Sequence, residues 1–273
     1  MIQQGLLIPG AETIHRPALR YFGGKFNLAP WIIRHFPQHN TYVEPFGGAY
    51  SVGCQKMPSR LEVYNDLNPD AANFFKVLRQ EPEALITAIA ASPRTAAEFR
   101  QCQSPCDEPL EWARRYYLYC HIGFMGGGGR WSSGTSRERL ELAAIQDDSH
   151  LWPIARRIER LIIQLAHAHI CISAWDGPET LFYVDPPYPF QARRSRDKRH
   201  KNGAPRRQYA YELGSDEQHR ELAAVLHRVR GKVVLSGYDC PLYQELFSDW
   251  RQVRSSTQNS CRETVFESLW MNF

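Results

Sequence analysis

The stretch Leu181-Phe182-Tyr183-Val184-Asp185-Pro186-Pro187-Tyr188 constrains this chain more than any other. Its four leading residues are apolar and β-prone, and they read as a short, fully buried strand. Two prolines then withhold ladder donors and fix φ, so the strand must stop at Asp185. What remains at its carboxyl end is one carboxylate, carbonyls without N–H neighbours, and one aromatic face. In open α/β sheets that end is where ligands sit. The corner suits an exocyclic amine on a planar ring, whose lone pair is delocalised and poorly nucleophilic. Two acceptors outside the ring plane, the Asp185 carboxylate and the Pro186 carbonyl, would draw the amine hydrogens toward a tetrahedral arrangement. Tyr188 would stack on the ring. The plainer reading is a strand end followed by a proline turn, and the motif alone does not separate the two.

Other segments repeat the design. Thr41 to Val43 reads as a strand that runs into Glu44-Pro45-Phe46-Gly47-Gly48, followed by small residues suited to opening a helix. This resembles a dinucleotide-binding first turn without its full glycine spacing. Leu61 to Asn65 reads as a second strand, ending in Asp66. An acid roughly 20 residues beyond a first turn binds ribose hydroxyls in such folds; the alternative for Asp66 is a helix N-cap. Upstream, Tyr21-Phe22-Gly23-Gly24-Lys25 precedes an expected helix over Leu28–Phe36, with Pro30 in its first turn. Glycines there permit close backbone approach to a ligand, and Lys25 adds a cation. A tight turn with a surface lysine is the simpler reading.

From Glu81 to about Leu165 the pattern turns helical. Helices are expected over Pro82–Ala91, Pro109–His121, Arg137–Gln146 and Leu151–Leu165. Between them lies a loop with four consecutive glycines, Gly126 to Gly129, next to Arg130 and Trp131. That pair suits a phosphate and a base, though a bare connector has the same composition. Further on, Ser215 and Gln218 form a capping-box pattern for a helix running to about Arg230. A buried strand over Lys232–Gly237 and a short helix near Leu242–Phe247 follow. Two terminal strands, near Trp250–Ser255 and Thr264–Trp270, are expected as an antiparallel pair at the sheet's end. The fold class is therefore α/β.

Charge narrows the partner. The net charge is only +4, yet Arg193, Arg194, Arg196, Lys198, Arg199, Lys201, Arg206 and Arg207 crowd one segment with His200, against the single acid Asp197. A charge run is often a solvated loop. This one begins five residues after Tyr188, and a polyanion is the obvious partner. Hydrophobic residues make up 43% of the 273, enough for a sizeable core. No apolar run spans a membrane, and the first 20 residues lack a signal-peptide pattern. Seven cysteines, an odd count scattered from Cys54 to Cys261, point to reduced thiols in a cytoplasmic protein. Cys102 and Cys106 are the one close pair and lack companions for a zinc site, so no metal is expected.

Taken in order, Tyr21-Phe22-Gly23-Gly24-Lys25, Val43-Glu44-Pro45-Phe46-Gly47-Gly48, Tyr64-Asn65-Asp66-Leu67-Asn68 and Asp185-Pro186-Pro187-Tyr188 are similar to the motifs of Dam-type DNA adenine-N6 methyltransferases, in particular prophage-encoded members. The resemblance covers about Leu19 to Leu269. It implies a Rossmann-like seven-stranded sheet formed by residues 1–80 and 166–273, with residues 81–165 as an inserted helical target-recognition domain. It implies S-adenosyl-L-methionine as cofactor and double-stranded DNA as substrate, in a prophage or restriction-modification setting. Carried over by motif, Tyr21, Gly23, Gly24 and Lys25 line the cofactor site. Glu44, Pro45, Phe46, Gly47 and Gly48 wrap its methionine portion, and Asp66 takes the ribose. Asp185, Pro186, Pro187 and Tyr188 hold a flipped adenine, Asp185 also bordering the cofactor. Tyr21 stands where many members carry Trp. The glycine loop and the basic run do not match the better-known GATC-recognising members, so no recognition sequence carries over. Alternatives keep the cofactor with another planar amine (cytosine N4, an RNA adenine, a glutamine amide), or make the chain a DNA-binding protein with an inactive core. The basic run counts against a protein substrate, and by resemblance Asp185 is more typical of adenine than of cytosine-N4 enzymes.

Overall fold

The computed structural model describes residues 13–123, 148–189, 213, 215–258 and 264–273. A seven-stranded sheet organises them. Strands β1 (Thr41–Glu44), β2 (Leu61–Asn65), β3 (Ile162–Gln164), β4 (Thr180–Val184) and β5 (Lys232–Gly237) run parallel. Strand β7 (Thr264–Met271) runs antiparallel between β5 and β6 (Arg251–Gln258). The order is β3-β2-β1-β4-β5-β7-β6. Connections leave β1 toward β3 on one side and β4 toward β6 on the other, so the crevice of the sheet opens between β1 and β4.

Strand alternation assigns the two faces. Tyr42, Leu181, Tyr183, Val234, Leu269 and Met271 share one apolar cluster. Val43, Phe182, Val184, Val233, Leu235 and Trp270 share the other. The first face is covered by α1 (Ala29–Ile33), α2 (Ser51–Gln55), α3 (Pro69–Gln80), α4 (Pro82–Ala90), α5 (Ala96–Gln101), α6 (Pro109–Ile122) and α7 (Leu151–Arg157), and the second by α8 (Ala168–Trp175), α9 (Asp216–Leu226) and α10 (Pro241–Leu246). Local chemistry starts these helices where expected. Asn68 caps α3, accepting from the Asp70 N–H at 3.0 Å with Pro69 in the first turn. Ser215 and Gln218 form both halves of a capping box on α9.

Besides the helix expected over Leu28–Phe36, of which only Ala29–Ile33 forms, three expectations change. The helix over Leu151–Leu165 ends at Arg157, and Ile162–Gln164 instead forms edge strand β3 beside β2. The apolar spacing there fits either element, and pairing of Ile162 with Val63 decides it. The sheet thus reaches into the stretch expected to be a helical insertion. Phe99, Tyr117, Leu151 and Ile154 of that stretch belong to the same cluster as Tyr42 and Leu181 of the sheet, so its described part packs as one body with the sheet. Third, α9 stops at Leu226, short of Arg230, because the N–H groups of Arg230 and Gly231 turn to the Asp176 carboxylate at 2.9 and 3.0 Å. The expected helix at 137–146, Arg130, Trp131, and the basic run 193–207 lie outside the described residues. Among the described residues no helix is long and apolar enough to cross a membrane.

Candidate active site

The carboxyl ends of β1, β2 and β4 open into one cavity of about 610 Å³. Tyr21, Gly23, Gly24, Lys25, Glu44 to Gly48, Asp66, Asp185 and Pro187 all line it, so the four motifs are brought to one place. Glu44, Asp185 and, unexpectedly, Glu267 share the strand parity of Tyr42, Tyr183 and Leu269, which puts three acids on one face of the sheet.

The turn after β1 is shaped by its glycines. A Cβ on Gly47 would lie 2.2 Å from the Tyr64 ring. Gly48 has φ +48°, its N–H goes to Asp66 Oδ2 at 2.7 Å, and its carbonyl accepts from the Tyr64 hydroxyl at 3.0 Å. Tyr50 follows at φ 52°, the one non-glycine among the described residues in the left-handed region, a conformation that costs energy and marks a constrained turn. Glu44 is buried, and its Oε1 accepts from the Tyr42 hydroxyl and the Gly53 N–H, both at 2.7 Å. Burial pushes this carboxyl up to about 8, against the pull of those two donors.

Asp66 ends β2. Besides Gly48, it accepts from the Asn68 N–H at 2.8 Å. The N-cap alternative for Asp66 does not hold, since Asn68 caps α3. Asp66 ties the turn after β1 to the start of α3, and burial raises its carboxyl while the backbone N–H groups draw it back.

Asp185 ends β4. Lys25 is no surface lysine: it is 9% exposed, and its Nζ reaches the Gly23 carbonyl and Asp185 Oδ1, each at 3.0 Å. It also lies 4.8 Å from the centre of the Tyr188 ring. The Tyr188 hydroxyl meets Asp185 Oδ1 at 3.2 Å and the Glu267 carboxylate more closely. The ring expected as a stacking platform is turned inward, edge-on to Tyr238 at 4.5 Å, and neither Tyr188 nor Pro186 lines the cavity. Burial raises the Asp185 carboxyl, and Lys25 opposes it. No described donor besides Lys25 and Tyr188 reaches Asp185, and both act on Oδ1, so Oδ2 keeps its acceptor capacity.

Sequence reasoning missed Glu267 and Ser236, whose Oγ donates to Glu267 at 2.7 Å. It also missed the wall formed by Ala166 to His169 at the start of α8 and by Gln218, Glu221 and Val225 of α9. For Glu267 a signal existed: an acid at the core-facing parity of β7, flanked by Leu269 and Met271. The arrangement can hold a nucleoside-like group against two acids and a glycine turn, beside a carboxylate poised for an amine. Among the described residues, no group of three or more His, Cys, Asp or Glu side chains could hold a metal ion.

A family model described as D12 class N6 adenine-specific DNA methyltransferase matches residues 21–261. The DNA adenine methylase of Vibrio cholerae serotype O1 is 42% identical over 71 residues, 26% of this chain and 25% of that protein. The DNA adenine methylase of Salmonella typhimurium is 24% identical over 251 residues, 85% of this chain and 84% of that protein. The DNA N-6-adenine-methyltransferase of Escherichia phage P1 is 37% identical over 81 residues, 29% of this chain and 10% of that protein. The chain thus spans about a quarter of the length of the Vibrio relative, and most of the Salmonella one at lower identity.

Proposed function

The chain belongs to the D12 class of N6 adenine-specific DNA methyltransferases, and from that premise we propose that it transfers the methyl group of S-adenosyl-L-methionine to N6 of an adenine in double-stranded DNA. The observation that carries the reading is Asp185 at the end of β4, on the wall of the cavity and held through one oxygen by Lys25. The donor set fits the cofactor. Asp66 offers a carboxylate for a ribose diol, Glu44 offers one near an amino-acid ammonium, and Gly47 and Gly48 present bare backbone to the cavity, where a Gly48 Cβ would press on the Tyr21 ring at 3.3 Å. The cofactor supplies an electrophilic methyl group when bound.

The protein's own part is orientation and electrostatics. Tyr21, Gly23, Gly24, Pro45 and Phe46 shape the cavity. The target base leaves the DNA stack and brings N6 to Asp185 Oδ2, while the Pro186 carbonyl, the second acceptor expected from the sequence, stands off the cavity wall. Asp185 accepts from the amine and stabilises the positive charge that develops there. Tyr188 keeps its inward position with its hydroxyl on Asp185, and so holds that carboxylate rather than stacking on the base. Arg130, Trp131 and the cations from Arg193 to Arg207 are the proposed contacts to phosphate and base, on sequence grounds, and residues 81–165 the proposed recognition region.

The test is methylation-sensitive long-read sequencing of DNA from cells expressing the protein, which reports acceptor base and sequence context together. N6-methyladenine in a fixed context is expected. N4-methylcytosine, or cofactor-independent DNA binding without any modified base, would replace the reading with one of its rivals.

A further inference from the structure

Glu267 binds nothing in the account above, yet it sits at the centre of the site's buried charge. It is 5% exposed. Its Oε1 accepts from Ser236 Oγ at 2.7 Å, meets the Tyr188 hydroxyl closely, and lies 4.0 Å from Lys25 Nζ. Asp185 Oδ1 meets the same hydroxyl at 3.2 Å and the same lysine at 3.0 Å. Hydrogens are in short supply here. A phenol has one, and Tyr188 faces two carboxylates. Ser236 spends its hydrogen on Glu267. One of the two phenol–carboxylate contacts therefore has no proton unless a carboxyl carries it. Charge makes the same point, because among the described residues the buried Glu267 and the half-buried Asp185 share one ammonium, and an added proton would make the cluster neutral.

We propose that Glu267 is the terminal acceptor of the proton released from the methylated amine, receiving it through Asp185 and the Tyr188 hydroxyl. The inference rests on the methyl-transfer reading. Once N6 carries the methyl group it holds one proton too many. The N6–H bond breaks and an Asp185 O–H bond forms. Asp185 turns its protonated oxygen to Tyr188 Oη and passes that proton on as Tyr188 gives its own to Glu267, so Asp185 and Tyr188 end as they began and Glu267 ends neutral. It later loses the proton to water. Glu267 does not touch the base, so it is a positioning residue acting through Tyr188. The groups facing the pair are Lys25 from the N-terminal turn, Tyr183 and Asp185 at β4, Tyr188, Ser236 on β5 and Tyr243 on α10, with Glu44 acting on Asp185 from β1. Burial raises the Glu267 carboxyl, and Lys25 holds it back. Burial therefore makes the cluster take up a proton more readily than exposed carboxylates do.

The test compares the full-length wild type with Glu267→Gln in two measurements. Turnover against pH on a methylatable duplex should show the acidic limb moving down by about one unit or more, because a like charge beside Asp185 is gone. In cofactor-free protein, an infrared pH titration of wild type against Glu267→Gln should show an ionised Glu267 band at the working pH that gives way to a protonated-carboxyl band as pH falls, earlier than for an exposed carboxylate. Ser236→Ala, which removes a donor to ionised Glu267, should move the limb the opposite way, and it serves if Glu267→Gln does not fold. An unmoved pH profile in the variants, or a Glu267 band that is protonated throughout or titrates as an exposed carboxylate does, overturns the proposal. A wild type without N6-methyladenine product overturns the activity reading instead, and the cofactor-free spectrum still tests the proton site.

Discussion

Two buried charge clusters lie at opposite ends of the sheet and are built in opposite proportion. At the amino end of β2, one carboxylate meets two cations: Glu62 takes Lys56 Nζ at 2.6 Å and Arg157 at 2.5 and 2.9 Å, with the Ser59 N–H at 3.0 Å. At the carboxyl ends, Asp185 and Glu267 share Lys25 as their one cation among the described residues. Burial pushes the Glu62 carboxyl up, but Arg157 and Lys56 overcome it and hold the group below its usual range. Arg157 also reaches the carbonyls of Gly53 and Lys56 at 2.6 and 3.3 Å, pinning the end of α7 to α2 and the loop that follows it. Every acceptor there is filled, which makes the cluster a fastener. At the other end acceptors outnumber protons, and the surplus is what a substrate amine can use. Glu44 extends the series, being buried with hydrogen bonds but no ion pair among the described residues.

The contrast breaks most readily at the fastener. Arg157→Met should cost about 3–5 kcal/mol of stability, because it leaves a buried carboxylate short of its main partner. Urea unfolding measures it, and a loss below about 1 kcal/mol would mean that Lys56 alone suffices and the two clusters differ less than their geometry states. Asp185→Ala should do the reverse, sparing stability while lowering methyl transfer ~10²–10³-fold, as loss of one preorganised electrostatic contact does. Single-turnover rates on folded protein decide it; turnover close to wild type would remove Asp185 from the chemistry. Asp66→Ala should weaken cofactor binding by roughly 1.5–3 kcal/mol, the range for a hydrogen bond to a charged group, with DNA affinity kept. Calorimetry beside fluorescence anisotropy separates the two, and equal losses would assign Asp66 to holding Gly48 and Asn68 alone.

A last effect sharpens the series through pH. Glu44 has a folded value raised to about 8 from an ordinary 4.5. Its neutral form therefore contributes stability that is complete below 4.5 and is lost as pH climbs toward 8. The limiting slope is about 1.4 kcal/mol per pH unit for one proton. Glu44→Gln keeps an acceptor for Tyr42 and Gly53 and should flatten this part of the stability curve. Urea midpoints from acid to alkaline pH, without cofactor, give the comparison. A variant with the wild-type slope would show that Glu44 titrates normally despite its burial.

Much of this was readable along the chain because it follows local rules. Apolar runs stopped by proline or glycine placed Glu44, Asp66 and Asp185 at strand ends, and Ser215 with Gln218 announced α9. The edge strand Ile162–Gln164 was not readable, since its spacing serves a helix equally well and only Val63 across the gap chose between them. Lys25 looked like a surface residue for the same reason: 160 residues separate it from Asp185, and nothing near it in sequence reveals that partner. Tyr188 and Glu267 meet across 79 residues. The sequence by itself determined which groups stand at the mouth of the sheet, because backbone punctuation acts over a few residues. Only the tertiary structure decided which acids share a cation and a proton, because Coulomb energy and hydrogen bonding depend on distance in space, and the strands that carry these groups become neighbours only in the folded sheet.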